Sequence, residues 1–252
     1  MFRTCLVLSA WLLAANAFAA PRISLPERPT AEQRAEVEKR LNDWSDLGRY
    51  AAENATLPPP KAGEKRVVFM GDSITDFWGR SVGRFFPGRG YVNRGISGQT
   101  TPQMLVRFRA DVIALKPAAV VILAGTNDIA GNTGPTTLAA IEDNLASMTE
   151  LARAHGIRVV LASLLPVHDD VVKDQTAHRP PATIRALNAW IKDYAARERL
   201  GFIDYHAAMV DARGELKAGL SDDGLHPNAA GYEVMAPLAQ SAIDRVLTGE
   251  TR

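Results

Sequence analysis

Residues that together perform acyl transfer stand at informative places in this chain. Ser73 closes the small-residue turn Gly71-Asp72-Ser73, directly after the apolar run Val67-Val68-Phe69-Met70. A serine hydroxyl is a weak nucleophile until a base touches it. His226 offers an imidazole, whose ordinary pKa of about 6.5 suits a base at neutral pH. Asp223 lies three residues earlier, in Asp223-Gly224-Leu225-His226-Pro227, so one rigid turn can carry both. A carboxylate there would hold the imidazole in a single tautomer. The oxyanion formed on attack needs donors already aimed at it. The backbone amides of Ser73 and Gly98 and the side-chain amide of Asn127 are three candidates, and Gly98 has no side chain to block a substrate. Each residue alone has a plainer reading. Gly98 suits a left-handed turn, Asn127 suits a local cap, and Asp223 with His226 suits a helix start. Together they fill every role the reaction needs.

These residues must be brought to one place by the elements between them. From Arg66 the pattern is strand, loop, helix, repeated. Strands are predicted at 66–71, 91–94, 118–124, 158–165 and 201–205. Helices are predicted at 102–115, 136–155, 182–199 and 228–247. The run Ala118 to Ala124 is almost continuously apolar, as in a parallel strand covered on both faces. Alternating strands and helices imply a parallel sheet with right-handed crossovers and helices on both sides. In such sheets the residues just past the strands gather along the carboxyl edge, where ligands bind. Ser73, Gly98 and Asn127 each follow a strand, and His226 precedes the last helix.

The polar blocks resemble those of the GDSL-type, or SGNH, hydrolase superfamily. Met70-Gly71-Asp72-Ser73-Ile74-Thr75 is similar to its serine block, with isoleucine where the short name has leucine. Gly95-Ile96-Ser97-Gly98-Gln99-Thr100-Thr101 is similar to the glycine block, Gly125-Thr126-Asn127-Asp128 to the asparagine block, and Asp223-x-x-His226-Pro227 to the last block. The four occur in order across residues 66–247. The resemblance implies a flavodoxin-like three-layer α/β/α sandwich with a five-stranded parallel sheet. It also implies a serine esterase that works without metal or cofactor, with Ser73, Asp223 and His226 catalytic and Ser73, Gly98 and Asn127 forming the oxyanion hole.

The remaining features bound the reading. Residues 1–19 have the form of a secretory signal: Arg3, the apolar run Leu6 to Leu13, and Ala17-Phe18-Ala19 before the cut. That run is too short to span a bilayer, so an exported, secreted or periplasmic protein with no integral membrane segment after cleavage is expected. The single cysteine, Cys5, would leave with the signal. Residues 20–60 read as an N-terminal extension and 61–252 as the hydrolase domain. In the extension a helical pattern over 31–55 places Val37, Leu41, Trp44 and Leu47 on one face, expected to pack on the domain. A net charge of +1 gives no footprint for nucleic acid. Of the five histidines, His155, His178 and His206 read as structural or solvated, and His168 as a substrate contact at most. Asp72 reads as part of the turn, and Trp78, Phe85 and Phe86 as core. A non-catalytic binding module, with Asp72 and Asp128 as an acidic pocket, is the alternative from another class. A receiver of that kind would need a lysine after the fifth strand, where Asp204-Tyr205-His206 stands, and would not be exported. The predicted active edge is polar or small in Ser97 to Thr101, Thr126 to Asp128, Gly131 to Gly134 and His168 to Asp170. That composition favours a small-molecule or glycan ester with a short acyl group, such as an acetylated sugar, over a long-chain lysophospholipid, and export disfavours a cytosolic thioester.

Overall fold

The structure, a computed structural model, describes residues 27–249. The expected signal segment, Cys5 and the start of the extension lie outside the described residues. In chain order the elements are α1 (Ala31–Asn42), α2 (Ala51–Thr56), β1 (Val67–Gly71), α3 (Ser73–Asp76), β2 (Tyr91–Gly95), α4 (Thr101–Asp111) and β3 (Ala119–Leu123). There follow α5 (Thr126–Ile129), α6 (Leu138–Ala154), β4 (Arg158–Ala162), α7 (Gln175–His178), α8 (Pro181–Arg197), β5 (Gly201–Ile203), α9 (Tyr205–Met209) and α10 (Ala229–Thr248).

The five strands form one sheet in the order β2-β1-β3-β4-β5, every pair parallel. All residues of β1 and β3 are buried, as central strands covered on both faces must be. Helices α4, α6 and α8 pack side by side on one face, and α10 lies across β3, β4 and β5 on the other. The fold is a three-layer α/β/α sandwich.

Register explains why the polar blocks converge. Gly71 at the end of β1 is level with Gly95 of β2 and Leu123 of β3. Ser73, Gly98 and Asn127 therefore lie two, three and four residues beyond one line across the sheet. The chain leaves β1 for β2 on one side and returns to β3 on the other. That change of direction opens the crevice in which open α/β sheets bind ligands.

Aromatic packing holds the serine turn from below. Phe69, Trp78, Phe85, Phe86 and Tyr91 meet with ring centroids 5.1–5.9 Å apart. Tyr232 of α10 stacks on Trp78, and its hydroxyl donates to the Ile74 carbonyl at 2.8 Å. Trp78, Phe85 and Phe86 thus belong to the core side of the turn.

The N-terminal helix departs from the expected pattern. It stops at Asn42, and Asp43 turns the chain by accepting the N–H groups of Leu47 and Gly48, both at 2.8 Å. The helical period ends there, so Leu41, Trp44 and Leu47 do not share a buried face; they are 78%, 45% and 44% exposed. The anchor is Tyr50, which is fully buried. Its hydroxyl donates to the Gly95 carbonyl, and the guanidinium groups of Arg49, Arg80 and Arg94 lie 4.5–5.2 Å from its ring centroid. Such cation–π contacts stabilise most where water is excluded.

Candidate active site

The serine turn is built by Asp72. Its carboxylate accepts the Ile74 N–H at 3.0 Å and caps α3, so Ser73 becomes the first helical residue. The N–H at that position has no partner within the helix. The Asp72 carboxyl is fully buried, and Oδ2 has no hydrogen-bond partner. Burial pushes its pKa up to about 7, helped by nearby Asp128 and opposed by the Ile74 N–H and by Arg179.

The glycine block crosses the edge as a tight turn. Gly98 has φ of +79°, a left-handed conformation that a side chain would strain. Thr100 and Gln103 form a capping box at the start of α4. Asp128 then ties this block to the asparagine block, accepting the Thr101 N–H at 3.0 Å and its hydroxyl at 2.5 Å. Both Asp128 oxygens are drawn onto Thr101 rather than toward Asp72, which argues against an open acidic pocket.

Gln99 and Arg107 brace the same turn from behind. Arg107, fully buried, donates to Gln99 Oε1 at 2.5 Å, to Asp111 at 3.0 Å and to the Gly71 carbonyl at 3.1 Å. Gln99 Nε2 donates to the Ser45 carbonyl at 2.7 Å, so the N-terminal segment buttresses the loop that carries Gly98.

The last block is a closed loop of hydrogen bonds. Asp223 Oδ1 accepts from the N–H groups of Leu225 at 2.9 Å and His226 at 2.8 Å, and from Ser221 Oγ at 3.1 Å. Asp223 Oδ2 accepts from His226 Nδ1 at 2.5 Å. Ser73 Oγ lies 2.9 Å from His226 Nε2. Partial burial pushes the Asp223 carboxyl up, but the His226 ring and the His226 and Leu225 amides outweigh it and hold it at about 2. It is ionised at any neutral pH. Phe77 flanks the His226 ring, 5.1 Å between centroids.

His168 is buried, at 2% exposure. Its N–H donates to the Gly224 carbonyl at 3.0 Å, and its ring Nδ1 accepts the Asp170 N–H at 3.1 Å. Gly224 has φ of +84°, and a Cβ there would fall 2.2 Å from the His168 carbonyl oxygen. The structure gives His168 a bracing role under the turn that carries Asp223 and His226. The loop after β4 also presents Val171 and Val172, 58% and 44% exposed, beside Asp169 and Asp170. The edge is therefore less uniformly polar than its sequence implies.

The structure thus brings Ser73, His226 and Asp223 into one chain of contacts. It sets Asn127 beside the glycine block, with its Nδ2 donating to the Gln99 carbonyl at 3.1 Å. Sequence reasoning missed Arg179. This residue is 8% exposed, and its Nη2 lies 3.4 Å from Asn127 Oδ1. Its place before Pro180-Pro181 looks like punctuation between elements, and no local signal marks it.

Comparison with known proteins follows this geometry. The model of the GDSL-like Lipase/Acylhydrolase family matches residues 69–234, which contain all four polar blocks. The chain belongs to that family. It is a carboxylic ester hydrolase. A GDSL-like lipase from Bacteroides thetaiotaomicron superposes with a TM-score of 0.76 at 44% identity, covering 81% of this chain and 99% of that one. The Esterase TesA of Pseudomonas aeruginosa is 29% identical over 68% of this chain and 83% of its own length. An acetylxylan esterase of Geobacillus stearothermophilus is 28% identical over 69% of this chain and 91% of its own. The family match begins at Phe69, so the braces from Ser45 and Tyr50 lie outside it.

Proposed function

We propose that this family member is an exported serine esterase for short-chain carboxylic esters, and specifically a carbohydrate O-acetylesterase. The observation that carries the catalytic part is the contact chain Ser73 Oγ to His226 Nε2 at 2.9 Å and His226 Nδ1 to Asp223 Oδ2 at 2.5 Å. In the reaction His226 takes the Ser73 proton as Oγ attacks the ester carbonyl carbon. The tetrahedral oxyanion is met by the Ser73 and Gly98 N–H groups and by the second N–H of Asn127, since an amide nitrogen carries two donors and Gln99 uses one. His226 then passes its proton to the departing alcohol, leaving an acetylated Ser73. Water, activated by the same imidazole, hydrolyses that ester and restores the serine. Asp223 holds the ring tautomer and balances the imidazolium charge at each step.

The acyl part rests on the chemistry of the edge. An octanoyl chain has six more methylenes than acetyl, so sheltering it is worth about 5 kcal/mol at ~0.8 kcal/mol per CH₂. That needs a continuous apolar wall. The exposed residues of the glycine block and of the turn it bonds to are Ser97, Gly98, Asn132 and Thr133, with Phe77 beside His226 and Val171 and Val172 in the loop after β4 as the apolar exceptions. The acetylxylan esterases among the relatives point the same way. Export rests on the signal-like composition of residues 1–19, and places the enzyme in the periplasm or outside the cell.

The test is hydrolysis of nitrophenyl acetate and octanoate, and acetate release from an acetylated xylo-oligosaccharide. Acetyl over octanoyl kcat/KM above one, with acetate released and all turnover lost in Ser73→Ala, is the expected result. A marked octanoyl preference with no acetate from any glycan reassigns the substrate to a lysophospholipid. Substantial turnover by Ser73→Ala overturns the serine mechanism itself.

A further inference from the structure

Arg179 is a buried cation placed where catalysis could use it. It lies in the short link between α7 and α8, 92% removed from solvent on its 8% exposure. Nη1 donates to Gln175 Oε1 at 3.0 Å, Nη2 points to Asn127 Oδ1 at 3.4 Å, and Nε is buried without a partner. Among the described residues no carboxylate comes within 4 Å of the guanidinium, although Asp72 and Asp223 are its acidic neighbours. A guanidinium held this way is costly unless its charge acts on something nearby.

The group it meets is the amide of Asn127, whose orientation decides whether it can serve an oxyanion. An asparagine side chain can be flipped, presenting oxygen where nitrogen is needed. Two contacts forbid that here. The Gln99 carbonyl is only an acceptor, so the nitrogen of Asn127 must face it. The guanidinium of Arg179 is only a donor, so the oxygen must face that side. The contact is long for a hydrogen bond. What it delivers is a fixed positive charge behind the amide oxygen, in a site of low dielectric where charge acts strongly. Such a charge draws electron density toward Oδ1 and makes the Nδ2 hydrogens better donors.

We propose that Arg179 is a positioning residue of the esterase: through Asn127 it fixes and polarises the side-chain donor of the oxyanion hole. This rests on the reading of Asn127 as that donor. An effect exerted on an oxyanion appears only in the transition state, so it lowers kcat and leaves KM.

The experiment is a double-mutant cycle on the full chain, with nitrophenyl acetate as probe. Asn127→Ala alone is expected to lower kcat about 10²–10³-fold. Arg179→Met should lower kcat about tenfold or more, within that bound, with KM changed less than twofold. Arg179→Lys, which keeps the charge, should recover part of the loss. In the Asn127→Ala background the Met substitution should cost less than twofold further. If Arg179→Met fails to fold, Arg179→Gln makes the same comparison with a neutral side chain. An equal loss in both backgrounds, an effect on KM alone, or no loss at all overturns the inference. If Asn127→Ala itself leaves kcat intact, the oxyanion reading of Asn127 has failed, and the two failures are distinguished.

Discussion

Replacing Asp223 by asparagine changes one atom type and should silence the enzyme, for a reason visible in the hydrogen bonds. Asp223 Oδ1 receives the N–H groups of Leu225 and His226 at 2.9 and 2.8 Å. In Asp223→Asn the amide oxygen must take that position, because two donors there demand an acceptor. The NH₂ then falls where Oδ2 now stands, 2.5 Å from His226 Nδ1. An NH₂ group only donates, so Nδ1 must accept, and the ring proton moves to Nε2. That nitrogen faces Ser73 Oγ at 2.9 Å and can no longer take its proton. Enforcing the wrong tautomer costs about 10⁴-fold in kcat, or ~5 kcal/mol of barrier. The two backbone hydrogen bonds survive, so the melting temperature should move by only a few degrees. Asp223→Ala leaves the ring free to choose its tautomer and should be no worse than the asparagine variant. The assay is steady-state hydrolysis of nitrophenyl acetate from pH 5 to 9. The parent carboxyl is held at about 2, so it stays ionised over that whole range. An asparagine variant retaining a tenth of the parent kcat, or an alanine variant far weaker than it, would refute the tautomer argument.

Two further predictions concern the supports of the site. Asp72→Asn should stabilise the fold at neutral pH: an unfolded aspartate ionises near 3.9, while the buried Asp72 holds its proton up to about 7. Between those values the folded state binds more protons, so parental stability falls as pH rises. The gain from Asn should therefore be absent below pH 4 and grow to roughly 4 kcal/mol by pH 7, from three units at 1.36 kcal/mol each; urea midpoints at pH 4 and pH 8 measure it, and a pH-independent difference would sink the idea. Arg107→Met should destabilise by about 3–5 kcal/mol, because Asp111 is left as a buried carboxylate without its guanidinium; a loss under 1 kcal/mol in chemical denaturation would mean that the Arg107 network contributes little to holding the glycine block.

The parts of the molecule readable from the chain are those determined by neighbours in sequence. Val67 to Gly71 and Ala119 to Leu123 announce themselves as buried strands because every residue in them is small or apolar. Ser73, Gly98 and Asn127 stand out as candidates because each follows a strand in a turn of small polar residues. Asp223 and His226 are three apart, close enough for one turn to hold both. The helical period in the extension misled because it was continued past Asn42. Asp43 caps a turn instead, and the period carries no meaning once the helix has stopped.

What only the tertiary structure decided is which distant groups face one another. Tyr50 reaches the Gly95 carbonyl across 45 residues, and Gln99 reaches Ser45 across 54. Arg179 meets Asn127 across 52. No local pattern marks such pairs, because a tyrosine, a glutamine and an arginine are each unremarkable in a loop. Their meaning comes from burial, which removes water as a partner and makes every remaining contact of a polar group count. The candidate site residues are legible as types at the ends of elements. Their mutual orientation exists only once the sheet has aligned Gly71, Gly95 and Leu123 in one row.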